Sequence, residues 1–586
     1  MCQVDLHAPP INVADRLAEV AARMPETLAV VDEGRDARRE TRVNDATRVS
    51  FAKLDENATA IARGLIEMGV TPGVRLVLLV PPSVAMVTLV FGLLRSGATT
   101  VLIDPGMGRQ HLIRCLAAVR PQGFVAISSA QAVRCLLRHR FAQAKINVTV
   151  GRRWFWGGPT YEQLIAKGQQ SQVSLPTTRI KEPAAIIYTS GSTGPPKGVL
   201  YTHQMFDTQA SQIQQQYAIQ PGAIDLACFA LFGLFNSAMG VTTIFPDIDF
   251  SRPASADPQK LLAAANRWQI TQAFASPAIW DKLSHYCEQH HQQIPSLRKV
   301  LACGAPVAAN VLKRTLACIH PSAEMHTPYG ATECLPIATI GAHEVLDQTA
   351  AQTNQGAGVC VGRKFACGEW RVIRITDSPI NSIDQSERLP TGQVGELIFR
   401  GPQASPDYVC VEREVRSGEQ VDKRLGEDDP NALAKIRDGK EIWHRLGDVG
   451  YFDEQQRFWY CGRKAHRVKT GTGTLFSICC EAIFNQHPQV QRSALVGIGS
   501  PGAKTPILIV ETVHDWPAEQ QTSSRHMGSK SPAWQALIDQ LQKIGQEHEM
   551  TRGILKYFWH PSLPVDIRHN AKINREQLTE WAAGQA

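Results

Sequence analysis

The sequence offers little support for an oxidising compartment or for a nucleic-acid partner. Its fourteen cysteines form no Cys-x-x-Cys pair and follow no regular spacing, and the adjacent Cys479 and Cys480 cannot easily form an unstrained bridge. The formal net charge is only +7 over 586 residues, and the basic residues are scattered, with short clusters such as residues 35–42 interrupted by acids. We therefore expect a reduced, cytoplasmic protein that binds no nucleic acid.

Signals for export or for membrane insertion are also missing. The N-terminus lacks the basic and apolar regions of a signal peptide. Residues 76–94 carry no charge and approach the length that spans a bilayer, but Pro81 and Pro82 divide them. We expect a buried strand there, then a core helix from about Ser83, and no membrane span.

Length and patterning indicate the fold class. A chain of 586 residues with 43% hydrophobic residues is long enough for two or more domains. Residues 12–130 alternate short apolar runs with helical patterns. This order predicts an α/β fold with a parallel, doubly wound sheet.

The most informative stretch is residues 188–199, which read Tyr-Thr-Ser-Gly-Ser-Thr-Gly-Pro-Pro-Lys-Gly-Val after an apolar run. Glycines let backbone N–H groups approach an anion closely, hydroxyls add donors, and Lys197 adds a positive charge. The stretch is not a Walker A loop, because the Gly-Lys-Ser/Thr ending is absent and two prolines prevent a helix from starting there. We predict a nucleotide phosphate site between two strands; a surface linker is the alternative.

This loop resembles the signature of the adenylate-forming superfamily, which includes acyl-CoA synthetases, luciferases and peptide-synthetase adenylation domains. These enzymes make an acyl-AMP from a carboxylate and ATP. The resemblance implies a large N-terminal domain, residues 1–462, with doubly wound sheets and a β-barrel-like subdomain. It also implies a small, mobile α+β domain, residues 463–586, joined by a hinge near residues 463–466. Besides Lys197, the loop residues that would bind the nucleotide are Thr189, Ser190, Gly191, Ser192, Thr193 and Gly194.

A second motif, residues 326–333, reads His-Thr-Pro-Tyr-Gly-Ala-Thr-Glu. By resemblance, Tyr329 stacks on adenine beside Gly330, Thr332 contacts phosphate, and Glu333 holds Mg²⁺. A polyphosphate with several negative charges needs a hard cation, which prefers carboxylate oxygen. ATP and Mg²⁺ are therefore the expected cofactors. Upstream, the backbone of three residues would lie against the adenine: Gly304, Ala305 and Pro306.

Three further polar residues match the family in the last third of the chain. Asp448, in a Gly-Asp turn, would accept hydrogen bonds from both ribose hydroxyls. Arg463 would meet the ribose or phosphate at the start of the hinge. Lys572 stands where a family lysine reaches the substrate carboxylate and the α-phosphate, although Ala571 replaces the usual glycine.

The acyl pocket is less clearly marked. Phe232 and Gly233 lie in an aromatic run where many acyl-CoA ligases carry a histidine at the position of Gly233. Trp280, at a strand-to-helix turn, would limit the same pocket. Ordinary core packing is the alternative interpretation of the aromatic run that contains Phe232 and Gly233. The charged residues 412–440 are interpreted as a surface insertion.

The loop that binds the thiol in thioester-forming relatives has a different sequence in this chain. Thioester-forming relatives have a Ser-Gly-Gly-Glu loop, whereas residues 469–476 read Lys-Thr-Gly-Thr-Gly-Thr-Leu-Phe, and Ala465 occupies the hinge position. A further resemblance lies in residues 188–203, 230–233, 245–249, 252–253, 326–336 and 566–572. In these stretches, and over most of its length, the chain resembles the β-lactone synthetases of bacterial long-chain olefin biosynthesis. This resemblance implies ATP-dependent closure of a long-chain 2-alkyl-3-hydroxy acid to a β-lactone, with olefin-pathway enzymes as possible partners. A long-chain acyl-CoA ligase and an inactive nucleotide-binding scaffold remain alternatives. His203 and His326 are interpreted as structural rather than as the base for ring closure.

Overall fold

The computed structural model describes residues 12–33, 48–103, 107–188, 197–409, 429–513, 532–566 and 572–585. In chain order, the first strands are β1 (Leu28–Asp32), β2 (Arg48–Ser50), β3 (Arg75–Leu79), β4 (Thr99–Ile103), β5 (Gly123–Ile127), β6 (Ile146–Val150), β7 (Pro183–Tyr188), β8 (Gly198–Thr202), β9 (Ile224–Ala227), β10 (Thr242–Phe245), β11 (Gln272–Ala275), β12 (Lys299–Ala302), β13 (Glu324–Ala331) and β14 (Cys334–Gly341). The later strands are β15 (Val359–Cys360), β16 (Arg363–Lys364), β17 (Glu369–Ile373), β18 (Gly395–Arg400), β19 (Tyr408–Val409), β20 (Lys435–Asp438), β21 (Glu441–Phe452), β22 (Phe458–Arg463), β23 (Val468–Lys469), β24 (Thr474–Leu475), β25 (Val490–Ile498), β26 (Thr505–Thr512) and β27 (Lys556–Trp559).

The α-helices connect these strands and cover the sheets. In chain order they are α1 (Asp15–Arg23), α2 (Phe51–Glu67), α3 (Val84–Arg95), α4 (Arg109–Ala118), α5 (Ser128–Leu136), α6 (Tyr161–Gln170), α7 (His203–Gln216), α8 (Phe232–Met239), α9 (Pro258–Arg267), α10 (Pro277–Gln289), α11 (Ala309–Cys318), α12 (Ala342–Glu344), α13 (Ala350–Asn354), α14 (Pro430–Ala434), α15 (Ser477–Phe484), α16 (Pro532–Glu547) and α17 (Arg575–Ala583).

The first sheet has seven strands in the order β19-β8-β7-β4-β3-β5-β6. Strands β3 to β7 are mutually parallel, and β8 turns back antiparallel to β7. Helix α3 packs on this sheet with every residue buried except Ala85, and the Ser83 hydroxyl caps its start. The predicted strand and core helix in residues 76–94 are confirmed, and no helix among the described residues is long and apolar enough to cross a membrane.

The second sheet has nine strands in the order β16-β14-β13-β12-β11-β9-β10-β1-β2. It includes β1, which pairs in parallel with β10. The prediction of one parallel sheet for residues 12–130 is therefore wrong for its first strand, β1. Strand propensity is local, whereas the choice of a neighbouring strand depends on contacts with residues more than 200 positions away, such as Val30 opposite Thr243.

The third sheet follows the order β15-β22-β21-β18-β17, with β20 paired to β21. In the described residues its end strands, β15 and β17, are not paired with each other, so the sheet is open where a barrel-like subdomain was predicted. Strand β20 also corrects the interpretation of residues 412–440 as a surface insertion. Residues 410–428 lie outside the described residues, but Ile436 is fully buried under this sheet.

The C-terminal part contains a three-stranded sheet, β25-β26-β27, covered by α15, α16 and α17. Ion pairs link the preceding segment to the rest of the chain: Arg467 Nη2 and Lys469 Nζ lie 2.6 and 3.0 Å from Asp377 Oδ2. Lys464 Nζ lies 3.1 Å from a carboxylate oxygen of the buried Glu396. The division at residues 462 and 463, and the hinge, remain predictions.

Candidate active site

The hairpin of β7 and β8 carries the predicted phosphate loop. Tyr188 lies opposite Gly198 at the open end of this antiparallel pair, so the predicted arrangement of strand, loop and strand is confirmed. Lys197 directly precedes β8, and α7 begins one residue after Thr202, whose hydroxyl accepts a hydrogen bond from Met205 N. Six predicted loop residues lie outside the described residues: Thr189, Ser190, Gly191, Ser192, Thr193 and Gly194.

The turn between β13 and β14 brings the second motif beside this hairpin. Tyr201 Oη on β8 donates a hydrogen bond to the carbonyl of Thr332 at 2.6 Å. The backbone N–H of Ser405 donates to the carbonyl of Glu333 at 2.7 Å. Gly330 permits the tight turn, since a Cβ there would lie 2.9 Å from Leu335 Cβ. Two distant segments therefore hold Thr332 and Glu333 in place.

Tyr408 contacts the predicted metal-binding carboxylate and was not predicted from the sequence. Its hydroxyl donates to Glu333 Oε1 at 2.6 Å. The ammonium groups of Lys197 and Lys435 each lie 5.2 Å from the centre of its ring. Burial raises the pKa of Tyr408 well above its usual range, and the nearby Glu333 charge raises it further. Tyr408 thus remains a hydrogen-bond donor to Glu333 at neutral pH.

Lys435 and His444 lie on the far side of Tyr408. Lys435 Nζ donates to the carbonyl of Ser405 at 2.6 Å, and burial lowers the pKa of Lys435 to about 8. Burial, together with the charges of Lys435 and Lys197, lowers the pKa of His444 far below its usual value, so its ring is neutral. This charge distribution concentrates positive charge from two lysines beside one carboxylate, which suits a polyphosphate.

Asp448, Tyr329 and Arg463 form the next part of the site. Tyr329 Oη donates to Asp448 Oδ2 at 2.5 Å, and Arg463 Nη1 donates to Asp448 Oδ1 at 2.6 Å. Strands β21 and β22 pair Asp448 directly opposite Arg463. The Asp448 charge raises the pKa of Arg463. The structure therefore joins three predicted nucleotide-binding residues, while their contacts with adenine and ribose remain predictions.

The predicted adenine-facing residues follow β12. Gly304 has φ +104°, a left-handed conformation that favours glycine, and Ala305 and Pro306 complete the turn. Burial raises the pKa of the adjacent Cys303 to about 12, while the charge of Lys572 opposes this rise. The Lys572 charge thus acts on the residue that precedes Gly304. The contact of Lys572 with substrate remains a prediction.

A short hairpin presents Lys572. Asp566 and Lys572 pair through their backbones, with Asp566 N and Lys572 O 3.0 Å apart. The Asp566 side chain also accepts a hydrogen bond from Lys572 N at 3.0 Å. An isolated bridge between Val565 and Ile573 closes the hairpin. Ala571 lies outside the described residues.

The predicted acyl-pocket residues separate into two cores. Phe232 stacks on Phe274, with ring centres 3.6 Å apart and planes 12° apart, in an aromatic cluster against which Cys303 packs. A Cβ at Gly233 would lie 2.7 Å from Phe245 Cζ, so a histidine at this position cannot fit without a shift of that ring. Trp280 is buried in a different apolar cluster. The three pocket assignments remain predictions.

The two candidate histidines lie in different surroundings. His203 is 1% exposed, its Nδ1 accepts a hydrogen bond from Val13 N at 3.3 Å, and burial lowers its pKa to about 4. His326 contacts Glu324, with 3.4 Å between Nε2 and Oε2, and burial lowers its pKa. The contact and the burial of His203 support its structural interpretation, whereas the interpretation of His326 remains a prediction.

The rewritten loop forms its own hairpin. Strands β23 and β24 pair across residues 470–473, and Thr470 N donates to the carbonyl of Gly473 at 2.8 Å. The Thr470 hydroxyl also accepts hydrogen bonds from the backbone N–H groups of Thr472 and Gly473. Residues 470–473 thus form hydrogen bonds with one another within the turn.

Comparison with known proteins identifies the family. The model described as AMP-binding enzyme matches residues 17–409. The chain belongs to this family. Its relatives include a protein named olefin beta-lactone synthetase from Xanthomonas campestris, 41% identical over 98% of both chains. A second protein of that name, from Stenotrophomonas maltophilia, is 38% identical over 98% of this chain and 99% of its own.

A solved AMP-binding structure confirms the fold. It is o-succinylbenzoate coenzyme A synthetase from Bacillus subtilis in complex with ATP and magnesium ion, with a TM-score of 0.70 and 18% identity. The match covers 97% of this chain and 99% of that chain. At this identity the likeness concerns the fold alone.

Proposed function

We propose that this AMP-binding enzyme uses ATP to convert a long-chain 2-alkyl-3-hydroxyalkanoic acid into a β-lactone, with release of AMP and pyrophosphate. The observation that carries the proposal is the similarity, over nearly the whole chain, to two proteins named olefin beta-lactone synthetase. The rewritten segment 469–476 supports the same reaction, because it lacks the glutamate and paired glycines of thioester-forming relatives.

The residues around Glu333 fit a magnesium ion. The described residues contain no group of three or more His, Cys, Asp or Glu side chains that could hold a metal. A single carboxylate suits Mg²⁺, which usually keeps several waters and binds substrate phosphates. The Tyr408 hydroxyl occupies one side of Oε1 and fixes the carboxylate. When bound there, Mg²⁺ would neutralise phosphate charge.

In the first half-reaction, a carboxylate oxygen of the acid attacks the α-phosphorus of ATP, the bond to the bridging oxygen breaks, and pyrophosphate leaves. Lys572 would offset the negative charge shared by the carboxylate and the α-phosphate. Lys197 and residues 189–194 would hold the departing phosphates. Asp448 and Tyr329 would position the ribose and the adenine.

In the second half-reaction, the 3-hydroxyl oxygen attacks the carbonyl carbon of the acyl-AMP. The bond between that carbon and the AMP oxygen breaks, the lactone ring closes, and the hydroxyl proton leaves. Holding the hydroxyl beside the activated carbonyl makes the step unimolecular, which can contribute about 7–11 kcal/mol against ring strain. The aromatic cluster around Phe232 would exclude water that otherwise hydrolyses the acyl-AMP.

The proposal includes a setting in the cell. The cysteines follow no spacing typical of a disulfide framework, which supports a reducing cytoplasm. Enzymes that make the hydroxy acid or consume the lactone would be its pathway partners. We also keep the division into residues 1–462 and 463–586, with a hinge near residues 463–466, as part of the proposal.

Product analysis tests the reaction. The purified protein is incubated with MgATP and a synthetic 2-alkyl-3-hydroxy long-chain acid, with and without coenzyme A, and the organic product is identified by NMR. We expect a β-lactone and AMP without coenzyme A. An acyl-CoA that forms only with the thiol would identify an acyl-CoA ligase instead. Absence of AMP with every fatty or hydroxy acid would favour a nucleotide-binding scaffold.

A further inference from the structure

The basic residues of the chain are unevenly distributed. Residues 105–161 contain nine lysines and arginines and no aspartate or glutamate. The rest of the chain holds 52 lysines and arginines against 54 acids, a net charge of −2. The net positive charge therefore comes from this one segment, which forms the β5 and β6 edge of the first sheet.

Exposed apolar side chains concentrate in the same segment. Four of the eight large apolar residues that are exposed in the described chain lie within residues 133–155: Val133 (50% exposed), Leu136 (80%), Trp154 (54%) and Phe155 (81%). Val133 and Leu136 lie three positions apart on α5, on the face opposite the buried Gln131. We call residues 133–155 the basic-aromatic face.

The loop after β6 holds its two exposed rings in place. The Trp154 and Phe155 rings pack on buried Trp156, with centres 5.4 and 5.2 Å away. Trp156 Nε1 donates to Thr149 Oγ1 at 2.8 Å. The hydroxyl of Ser128, at the start of α5, donates to the carbonyl of Arg152. The rings are thus presented on an ordered loop that is joined to α5.

Arginines and a lysine are close in sequence to these apolar side chains. Arg138 and Arg140 lie in the short turn after α5, Lys145 precedes β6, and Arg152 and Arg153 precede the two rings. All five side chains are exposed. Tryptophan and phenylalanine rings favour the lipid interface, and basic side chains favour anionic headgroups. The combination matches the chemistry of an anionic bilayer surface.

We propose that the basic-aromatic face docks the protein on anionic lipid membranes. Aliphatic Val133 and Leu136 distinguish this partner from a nucleic acid, because they can enter hydrocarbon but cannot stack on bases. Strand β6 lies four strands from β7 in the first sheet, about 19 Å away at the usual spacing. Docking would leave the nucleotide site accessible. The proposal goes beyond the reaction proposed above and does not depend on it.

Vesicle co-sedimentation of the full chain tests this docking without any substrate. Sucrose-loaded vesicles contain either phosphatidylcholine alone or phosphatidylcholine mixed with phosphatidylglycerol. We expect binding to the mixed vesicles only, weakening as salt is raised. The double variant Arg152→Gln, Arg153→Gln should bind about 30-fold more weakly, because each basic residue near an anionic surface contributes about a fivefold factor.

The apolar contribution is tested separately. The double variant Trp154→Ser, Phe155→Ser should lose most vesicle binding, whereas Leu555→Ser, at an apolar side chain that is 62% exposed on the C-terminal part, should retain it. If the aromatic double variant does not fold, the arginine variant carries the test. No binding of the unaltered chain to mixed vesicles, or equal binding by face and control variants, overturns the proposal. Tighter binding to a single-stranded oligonucleotide, lost in the same variants, overturns it in favour of nucleic acid.

Discussion

Removing the Tyr408 hydroxyl should raise the KM for MgATP. In Tyr408→Phe the ring that Lys197 and Lys435 contact remains, and the 2.6 Å hydrogen bond to Glu333 is lost. A hydrogen bond to a charged group contributes about 1.5–3 kcal/mol, which corresponds to roughly a 10- to 100-fold change in an equilibrium constant. Because the bond positions Glu333 before and during reaction, we expect the KM for MgATP to rise by about this factor with little change in kcat.

Exchange of pyrophosphate into ATP, measured with a hydroxy acid over a range of magnesium concentrations, provides the assay. Tyr557→Phe is the matched control, since this buried tyrosine donates to the neutral carbonyl of Ile554 at 2.9 Å in the C-terminal region. Tyr408→Leu also removes the ring, and each lost ammonium contact should contribute up to about a fivefold further loss. A KM for Tyr408→Phe equal to that of the control would refute the reasoning.

Three further changes test other parts of the molecule. Lys572→Ala should lower acyl-AMP formation at least about 100-fold, because the charge that stabilises the carboxylate is lost. AMP binding should remain measurable by calorimetry. Unchanged turnover would contradict the catalytic role of Lys572. Burial raises the pKa of Asp225 from 3.8 to about 7, so its contribution is fully present below pH 3.8 and is lost as pH rises through 7. Asp225→Asn should therefore match the parent in stability below pH 3.8 and exceed it at about pH 8 by up to about 4 kcal/mol; a difference that stays constant with pH would contradict this. Glu396→Ala removes the carboxylate that lies 2.6 Å from buried Arg445. The free energy of unfolding, measured in urea, should fall by about 3–5 kcal/mol. A fall below about 1 kcal/mol would contradict the importance of this ion pair.

Much of the fold could be predicted because its signals are local. The strand and the core helix predicted within residues 76–94 are present as β3 and α3. The hydroxyl caps at Ser83 and Thr202 act within three residues of themselves. Motif residues could likewise be identified, because Lys197, Glu333 and Asp448 each lie in a run of characteristic residues. The assignment of β1 to the second sheet and the openness of the third sheet depend on pairings between distant segments.

The sequence by itself determined the family, the alternation of strands and helices, and the polar residues of the candidate site. The tertiary structure alone decided which side chains support that site. Tyr408 is 75 positions from Glu333, and Lys435 lies in a charged stretch whose composition indicates solvent exposure. Hydrogen bonding and cation–π contact act over a few ångströms of space and leave no periodic pattern along the chain. These residues are brought together by two strand pairings, β19 with β8 and β20 with β21.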